Sequence, residues 1–179
     1  KYQCIYIEGY LLVNEPLVRS TMEKAKKLGL KVALDLSNFN IVNAFKGMLE
    51  DIIPKYVDIL FSNESEAEAF TGQKAAEAVH TLSELVEVSL VTLGKAGALI
   101  GSHGQFYSVP AEGGKPVDTT GAGDNFAAGF LYGQSIEASL VQSARIGSML
   151  AGYVIDVVGP EIPYDKWEQI KLKVKGILA

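Results

Sequence analysis

The chain has 179 residues, of which 48% are hydrophobic and 21% are charged, and its formal net charge is −5 at neutral pH. This length predicts about one domain with a sizeable core, and the apolar content excludes intrinsic disorder. The acidic balance argues against a nucleic-acid-binding protein, and the single cysteine, Cys4, excludes an internal disulfide. No apolar run has the length of a membrane helix and no signal peptide is recognisable, so we expect a soluble, cytoplasmic protein.

The chain opens without an initiator methionine, directly in the apolar run from Tyr2 to Ile7. This pattern predicts a buried strand that begins with no preceding segment. We therefore expect the chain to be a piece of a longer protein, cut near a domain boundary.

Short apolar runs rich in branched residues predict strands, and they alternate along the chain with segments of helical periodicity. The predicted strands cover residues 2–8, 30–36, 57–61 and 88–93, and a hairpin follows at 98–100 and 106–109. The predicted helices cover residues 14–28, 41–53 (ended by Pro54), 63–72, 74–87, 121–134, 136–156 and 163–177. This alternation predicts one α/β domain over residues 1–179, with three α/β/α layers, a mainly parallel sheet and an antiparallel hairpin at its edge.

Ligands of such sheets bind beyond the carboxyl ends of the strands, where a strand gives way to a loop or a helix. Three segments occupy junctions of this kind: 62–66, 92–97 and 118–124. We expect the chemistry of the protein to lie in these segments.

The third segment reads Asp-Thr-Thr-Gly-Ala-Gly-Asp from Asp118 to Asp124, immediately before a predicted helix. Glycines at a helix start let backbone N–H groups turn inward and form an anion hole, which the helix dipole reinforces. Asp124 at its rim is placed to take a proton from a hydroxyl that attacks phosphorus. The residue pattern alone leaves open an ordinary glycine-rich turn in which Asp124 caps the helix.

This stretch, followed by a small and aromatic helix start from Asn125, resembles the C-terminal signature of the ribokinase or PfkB family of carbohydrate kinases. The resemblance implies that Asp124 is the catalytic base and that Gly121, Ala122 and Gly123 form the anion hole for the transferring phosphoryl group. It also implies a monovalent cation near Asp118, Thr120 and Gly159.

Asn63 and Glu66 are three residues apart at the start of a predicted helix, so their side chains share one face. An asparagine followed by a glutamate at this spacing is typical of a capping box. The segment also resembles the Asn-x-x-Glu motif of the same family, which implies that the pair orients magnesium-bound water and phosphate. Both roles are compatible.

The residue types from Val91 to Gly97 alone favour an ordinary tight turn at the end of a strand, whereas the resemblance places the ATP phosphates and ribose beside Thr92 and Gly94, with Gly97 leaving room for the nucleotide. The resemblance also places the adenine near Gly147 and Ser148, where close helix packing is the alternative. His80 and His103 fall in no matched motif, and we expect both at the surface.

The resemblance implies an ATP-dependent phosphotransferase that acts on a primary alcohol of a sugar or nucleoside, with ATP and Mg²⁺ as cofactors and K⁺ as the candidate monovalent cation. It extends to the C-terminal portion of a family member only, so we expect the substrate-binding portion and lid to be absent and this piece alone to be inactive. We expect a small-molecule partner, no nucleic acid or membrane, and a homodimer of the full-length protein. The alternatives are a nucleotide-binding module without turnover and a Rossmann-like domain for another phosphorylated ligand.

Overall fold

The computed structural model describes residues 2–113 and 116–179 of the chain. Six strands form one sheet in which the order in space is the order in the chain. They are β1 (Cys4–Glu8), β2 (Lys31–Asp35), β3 (Ile59–Asn63), β4 (Val88–Thr92), β5 (Ala98–Ser102) and β6 (Gln105–Val109). Strands β1 to β4 pair in parallel, and β5 and β6 form the hairpin predicted from the sequence.

Eight helices connect or follow these strands in the described residues. They are α1 (Glu15–Lys27), α2 (Phe39–Ala44), α3 (Lys46–Tyr56), α4 (Glu64–Thr71), α5 (Ala75–Ser83), α6 (Ala122–Ser135), α7 (Leu140–Val154) and α8 (Trp167–Leu178). Short 3-10 turns occur at Gly9–Val13, Gly94–Ala96 and Tyr164–Lys166. None of the helices in the part of the chain that the structure describes is long and apolar enough to cross a membrane.

Helix α1 shows how local sequence sets an element's limits. The Asn14 side chain accepts a hydrogen bond from the Leu17 amide, and Pro16 lies in the first turn, where its missing N–H costs nothing. Gly29 follows the helix with a φ of 70°, the left-handed conformation that glycine adopts most readily. The predicted start and end of this helix are confirmed.

The prediction of one helix over residues 41–53 ended by Pro54 is wrong. Two helices, α2 and α3, meet at Phe45, whose φ of −114° and ψ of 19° interrupt the helical geometry. Pro54 lies inside the last turn of α3, where its missing N–H deprives only the carbonyl of the exposed Glu50 of a helical partner. The helix continues past it because the Val57 amide donates to the Ile53 carbonyl.

Two other predicted helices are shorter in the structure. The helix predicted over 74–87 ends at Ser83. The helix predicted over 136–156 begins at Leu140, because Glu137 has a positive φ of 61° and Ser139 forms a capping box with Gln142.

The chain divides into two compact units. The first unit comprises Lys1–Leu93 and Leu99–Tyr107, and the second comprises Gly94–Ala98 and Ser108–Ala179. A single domain over residues 1–179 stays a prediction.

The core of the first unit forms between the parallel strands and helices α1, α3, α4 and α5. In β2 the three consecutive residues Val32, Ala33 and Leu34 are fully buried, so both faces of this strand are covered. Continuous apolar runs of this kind are typical of strands buried on both faces.

The core of the second unit depends on a close approach of α6 and α7. A Cβ on Gly129 would lie 2.7 Å from the Gly147 Cα, and a Cβ on Gly133 would lie 2.5 Å from the Ser143 Oγ. These positions therefore have space only for a hydrogen atom. Helix α8 adds Ile170 and Ile177 to the apolar cluster of α7.

We expect Gly129→Ala to lower the free energy of unfolding by roughly 1–3 kcal/mol, because the added methyl group overpacks the α6–α7 contact. Gly176→Ala is the matched control, since no atom lies within 4 Å of a Cβ at this exposed position in α8. The control should raise the free energy of unfolding, by up to about 1 kcal/mol, through helix propensity. Urea unfolding of both variants tests the pair, and equal effects would contradict the packing argument.

Candidate active site

The carboxyl ends of β3 and β4 place two predicted site residues side by side in the first unit. Asn63 and Thr92 end neighbouring parallel strands and are register partners. The Thr92 hydroxyl donates to the Ser62 carbonyl over 3.4 Å. The structure therefore brings Asn63 and Thr92 together at one edge of the sheet.

Asn63 and Glu66 form a complete capping box at the start of α4. The backbone amide of Asn63 donates to Glu66 Oε2 over 2.8 Å, and its side-chain Nδ2 donates to Glu66 Oε1 over 2.6 Å. In return the Glu66 amide donates to Asn63 Oδ1 over 3.0 Å. Burial raises the pKa of the Glu66 carboxyl, and the hydrogen bonds from Asn63 oppose the rise. The capping role is confirmed, and the magnesium role stays a prediction.

Asp35, which belongs to none of the predicted motifs, lies at the end of β2 on the same edge of the sheet. Its Oδ1 accepts from the Ser37 amide over 2.7 Å, and its Oδ2 accepts from the Tyr6 hydroxyl over 3.3 Å. Burial, with smaller contributions from the negative charges of Glu66 and Glu8, raises the pKa of Asp35 to about 7. An aspartate at the carboxyl end of a predicted parallel strand was the signal that could have found it.

Ser37 links this carboxylate to the end of β1. Its φ of 62° lies in the left-handed region, which is uncommon for a serine. Its hydroxyl donates to Glu8 Oε2 over 3.2 Å and accepts from the Gly9 amide over 2.7 Å. The ends of β1 and β2 are thus joined by one polar network.

In the second unit, α6 begins with unused backbone donors. Gly121 precedes it with a φ of 77°, and a Cβ there would lie 2.9 Å from the Pro160 side chain, so glycine is required. Neither the Gly123 nor the Asp124 amide has an acceptor among residues 2–113 and 116–179. A Cβ on Gly123 would meet no atom within 4 Å, so this face of the helix start is open.

Asp124 occupies the first turn of α6 and is exposed. Its side chain does not cap the helix, and the described residues offer it no hydrogen bond or ion pair. The capping alternative therefore has no hydrogen bond to support it. The carboxylate is free to act on a ligand beside the two open amides.

Asp118 joins the loop before α6 to the loop after α7. Its Oδ1 accepts from the amide and hydroxyl of Thr120, over 2.9 and 2.7 Å, and its Oδ2 accepts from the Gly159 amide over 3.0 Å. These hydrogen bonds, with that of Gly159 the largest contribution, hold the pKa of Asp118 below its usual value. The structure brings together the three residues predicted for the monovalent cation, and their cation role stays a prediction.

Within the described part of the chain, no group of three or more His, Cys, Asp or Glu side chains could hold a metal ion. A metal here would therefore depend on water, backbone or substrate oxygens in addition to carboxylates.

The other four residues predicted to contact ATP lie in the second unit: Gly94, Gly97, Gly147 and Ser148. Three of them pack closely against other residues of that unit. A Cβ on Gly97 would overlap the Val109 carbonyl, and one on Gly147 would lie 2.5 Å from the Phe126 carbonyl. Ser148 is 6% exposed and bonds to the backbone of Pro110 and Glu112. Gly94 alone is open. The predicted nucleotide contacts of all four stay predictions.

His80 and His103 are exposed, as predicted. The His80 ring lies against Phe106 of the hairpin with a centroid distance of 3.6 Å.

Residues 1–167 match the pfkB family of carbohydrate kinases. The chain belongs to this family. It is 32% identical over 176 residues to the adenosine kinase of Saccharomyces cerevisiae, a match that covers 90% of this chain and 52% of the yeast protein.

Solved kinases confirm the three-layer α/β/α fold. A probable sugar kinase from Rhizobium etli superposes with a TM-score of 0.90 at 31% identity, over 98% of this chain and 54% of that protein. The adenosine kinase from Sinorhizobium meliloti superposes with a TM-score of 0.89 at 29% identity, over 96% of this chain and 54% of that protein. This member of the pfkB family therefore spans about half the length of the relatives it matches.

The raised pKa of Asp35 predicts that the stability of this chain depends on pH. Because its pKa is about 7 when folded and near 3.8 when unfolded, the folded state binds the proton more tightly, and stability falls as pH rises from about 4 to 7. Asp35→Asn cannot titrate, so its free energy of unfolding relative to wild type should rise between pH 5 and pH 8, by roughly 2–3 kcal/mol. Urea unfolding at the two pH values measures this difference. A constant difference would contradict the raised pKa.

Proposed function

We propose that the whole protein transfers the γ-phosphoryl group of ATP to a primary alcohol of a sugar or nucleoside, and that this chain carries the phosphate-binding and catalytic part. The observation that carries the proposal is the start of α6, where two free amides adjoin an exposed carboxylate without a partner. Relatives named adenosine kinase and sugar kinase support the two acceptor classes.

The proposed chemistry follows from this geometry. Asp124 accepts the proton of the acceptor hydroxyl as its oxygen attacks the γ-phosphorus, and the bond from phosphorus to the β–γ bridging oxygen breaks to release ADP. The amides of Gly123 and Asp124 and the positive end of α6 stabilise the negative charge on the transferring group. Gly121 and Ala122 set the backbone path that aims these amides.

The remaining proposed contacts concern charge and placement. Asn63 and Glu66 would hold Mg²⁺ through water, because carboxylate and amide oxygens suit this ion and retain unused lone pairs in the capping box. Mg²⁺, when bound, would neutralise phosphate charge. Thr92 and Gly94 would border the phosphates and ribose, and Asp118, Thr120 and Gly159 would hold the monovalent cation.

The direct test is a kinase assay of the whole protein with ATP and a panel of sugars and nucleosides. ATP-dependent phosphorylation of a panel member supports the proposal. Tight ATP binding without turnover on any acceptor would favour the nucleotide-binding module. Binding of a flavin or nicotinamide without ATP binding would favour the Rossmann-like alternative.

Asp124→Asn in the whole protein should lower kcat by about two to four orders of magnitude, because the amide cannot accept the proton. Affinity for ATP should stay the same or rise slightly, since a negative charge near the γ-phosphate is lost. Thermal stability should change little, because the carboxylate makes no hydrogen bond or ion pair with the described residues. Asp165→Asn, at an exposed aspartate of the same unit, is the control and should keep wild-type kcat. A folded Asp124→Asn protein with wild-type kcat would overturn the catalytic assignment.

Glu66→Gln should raise the Mg²⁺ concentration needed for half-maximal rate and lower kcat, because a neutral amide attracts the hydrated ion less. The protein should stay folded, at a cost on the order of 1 kcal/mol, since the amide nitrogen of glutamine cannot accept from Asn63 Nδ2. Glu64→Gln changes an exposed glutamate in the same helical turn and should leave the Mg²⁺ dependence unchanged. Unchanged rates of Glu66→Gln at limiting Mg²⁺ would leave Glu66 with its capping role alone.

A further inference from the structure

The segment Val109–Gly113, here called the bracket loop, is fixed to one face of α7. Arg145, Ser148 and Gly152 approach this loop from the helix. Their spacing of three and four residues puts them on a single face.

Ser148 makes the central contact. Its hydroxyl donates to the Pro110 carbonyl over 2.8 Å and accepts from the Glu112 amide over 3.0 Å. The side chain is 6% exposed, so these two backbone groups share it with little competition from water. One hydroxyl therefore satisfies a donor and an acceptor of the bracket loop at the same time.

Two glycines bring the loop and the helix into backbone contact. A Cβ on Gly152 would overlap the Glu112 carbonyl, and a Cβ on Gly113 would lie 2.5 Å from the Gly152 Cα. Arg145 adds an ion pair to Glu112 over 3.8 Å. The position of the loop is thus determined by α7.

The other side of the bracket loop supports the turn Gly94–Gly97. A Cβ on Gly97 would overlap the Val109 carbonyl and would lie 2.7 Å from the Pro110 carbonyl carbon and 2.8 Å from the Ala111 amide. Gly97 has a φ of 98°, and its amide donates to the Gly94 carbonyl over 3.1 Å. The turn therefore rests directly on the segment that Ser148 holds.

We propose that Ser148 is a positioning residue for ATP, which acts through the bracket loop on the turn Gly94–Gly97 and does not contact the nucleotide. This inference rests on the proposed function, which places the ATP phosphates and ribose at that turn. A displaced loop moves the surface against which the turn packs, and a misplaced turn weakens ATP binding. The proposed function places the acceptor alcohol beside Asp124, which takes part in none of these contacts, so we expect its binding to stay unaffected.

The test is Ser148→Ala in the whole protein, which leaves two backbone groups of the loop, both in part-buried hydrogen bonds, without their partner. We expect KM for ATP to rise about 5- to 30-fold, the range for a loss of one or two hydrogen bonds. We expect kcat at saturating ATP and KM for the acceptor to stay within about twofold of wild type. Hydrogen exchange at the Glu112 amide should become faster, and Ser148→Thr, which keeps the hydroxyl, should restore KM for ATP.

Ser143→Ala is the matched control, because Ser143 is a fully buried serine of α7 whose hydroxyl accepts from Gln134 Nε2 on α6. It should lower thermal stability and leave KM for ATP unchanged. A purely structural role of Ser148 would make the two variants alike, with lower stability and an unchanged KM for ATP, and this result would overturn the inference.

A second measurement uses the wild-type protein alone. Coupling between two sites is reciprocal, so ATP bound at the turn should slow hydrogen exchange at the Glu112 amide. Protection of Gly97 without protection of Glu112 would overturn the inference while the proposed function stands. A wild-type protein that does not bind ATP would overturn both.

Discussion

The parallel, in-register pairing of β1 to β4 is the constraint on which the first unit's polar edge depends. Parallel strands end on the same side of a sheet, so Glu8, Asp35, Asn63 and Thr92 meet at one edge although long stretches of sequence separate them. Burial at this edge raises the pKa of Asp35, and the neighbouring negative charges of Glu66 and Glu8 add a smaller contribution. Such clusters persist where a polar network or a cation compensates them.

The second unit also presents a polar site, but the polar groups at the start of α6 are mostly backbone amides. Gly121 adopts a left-handed conformation against Pro160, and this geometry starts α6 without a side-chain cap. The first-turn amides of Gly123 and Asp124 therefore stay available. Asp118 fixes the adjoining loops by accepting three hydrogen bonds, which keeps it ionised. A site made of backbone donors depends on rigid loops more than on any one side chain.

Sequence patterns predicted the elements whose signals are local. Asn14 and Gly29 limit α1 through a cap and a left-handed residue, and Asn63 with Glu66 predicted a capping box that the structure contains. Pro54 misled because a proline's effect depends on its place in the helix, and near the end it costs one hydrogen bond with an exposed carbonyl. Asp35 was missed because its importance arises from neighbours on other strands, which no window of sequence around it contains.

At small residues, a sequence pattern does not distinguish a contact with a ligand from a contact with another part of the same chain. Gly97 was expected to leave room for a nucleotide and Ser148 to lie near its adenine, yet both residues pack against the backbone of the same loop, between Val109 and Glu112. A motif position can thus serve ligand binding through its neighbours as well as by direct contact. In this unit the bracket loop lies between the helix face that carries Ser148 and the turn that carries Gly97, and it contacts both. Small residues are therefore needed both at Ser148 and at Gly97, because each packs against the bracket loop. Through the same contacts, a change at Ser148 reaches the turn.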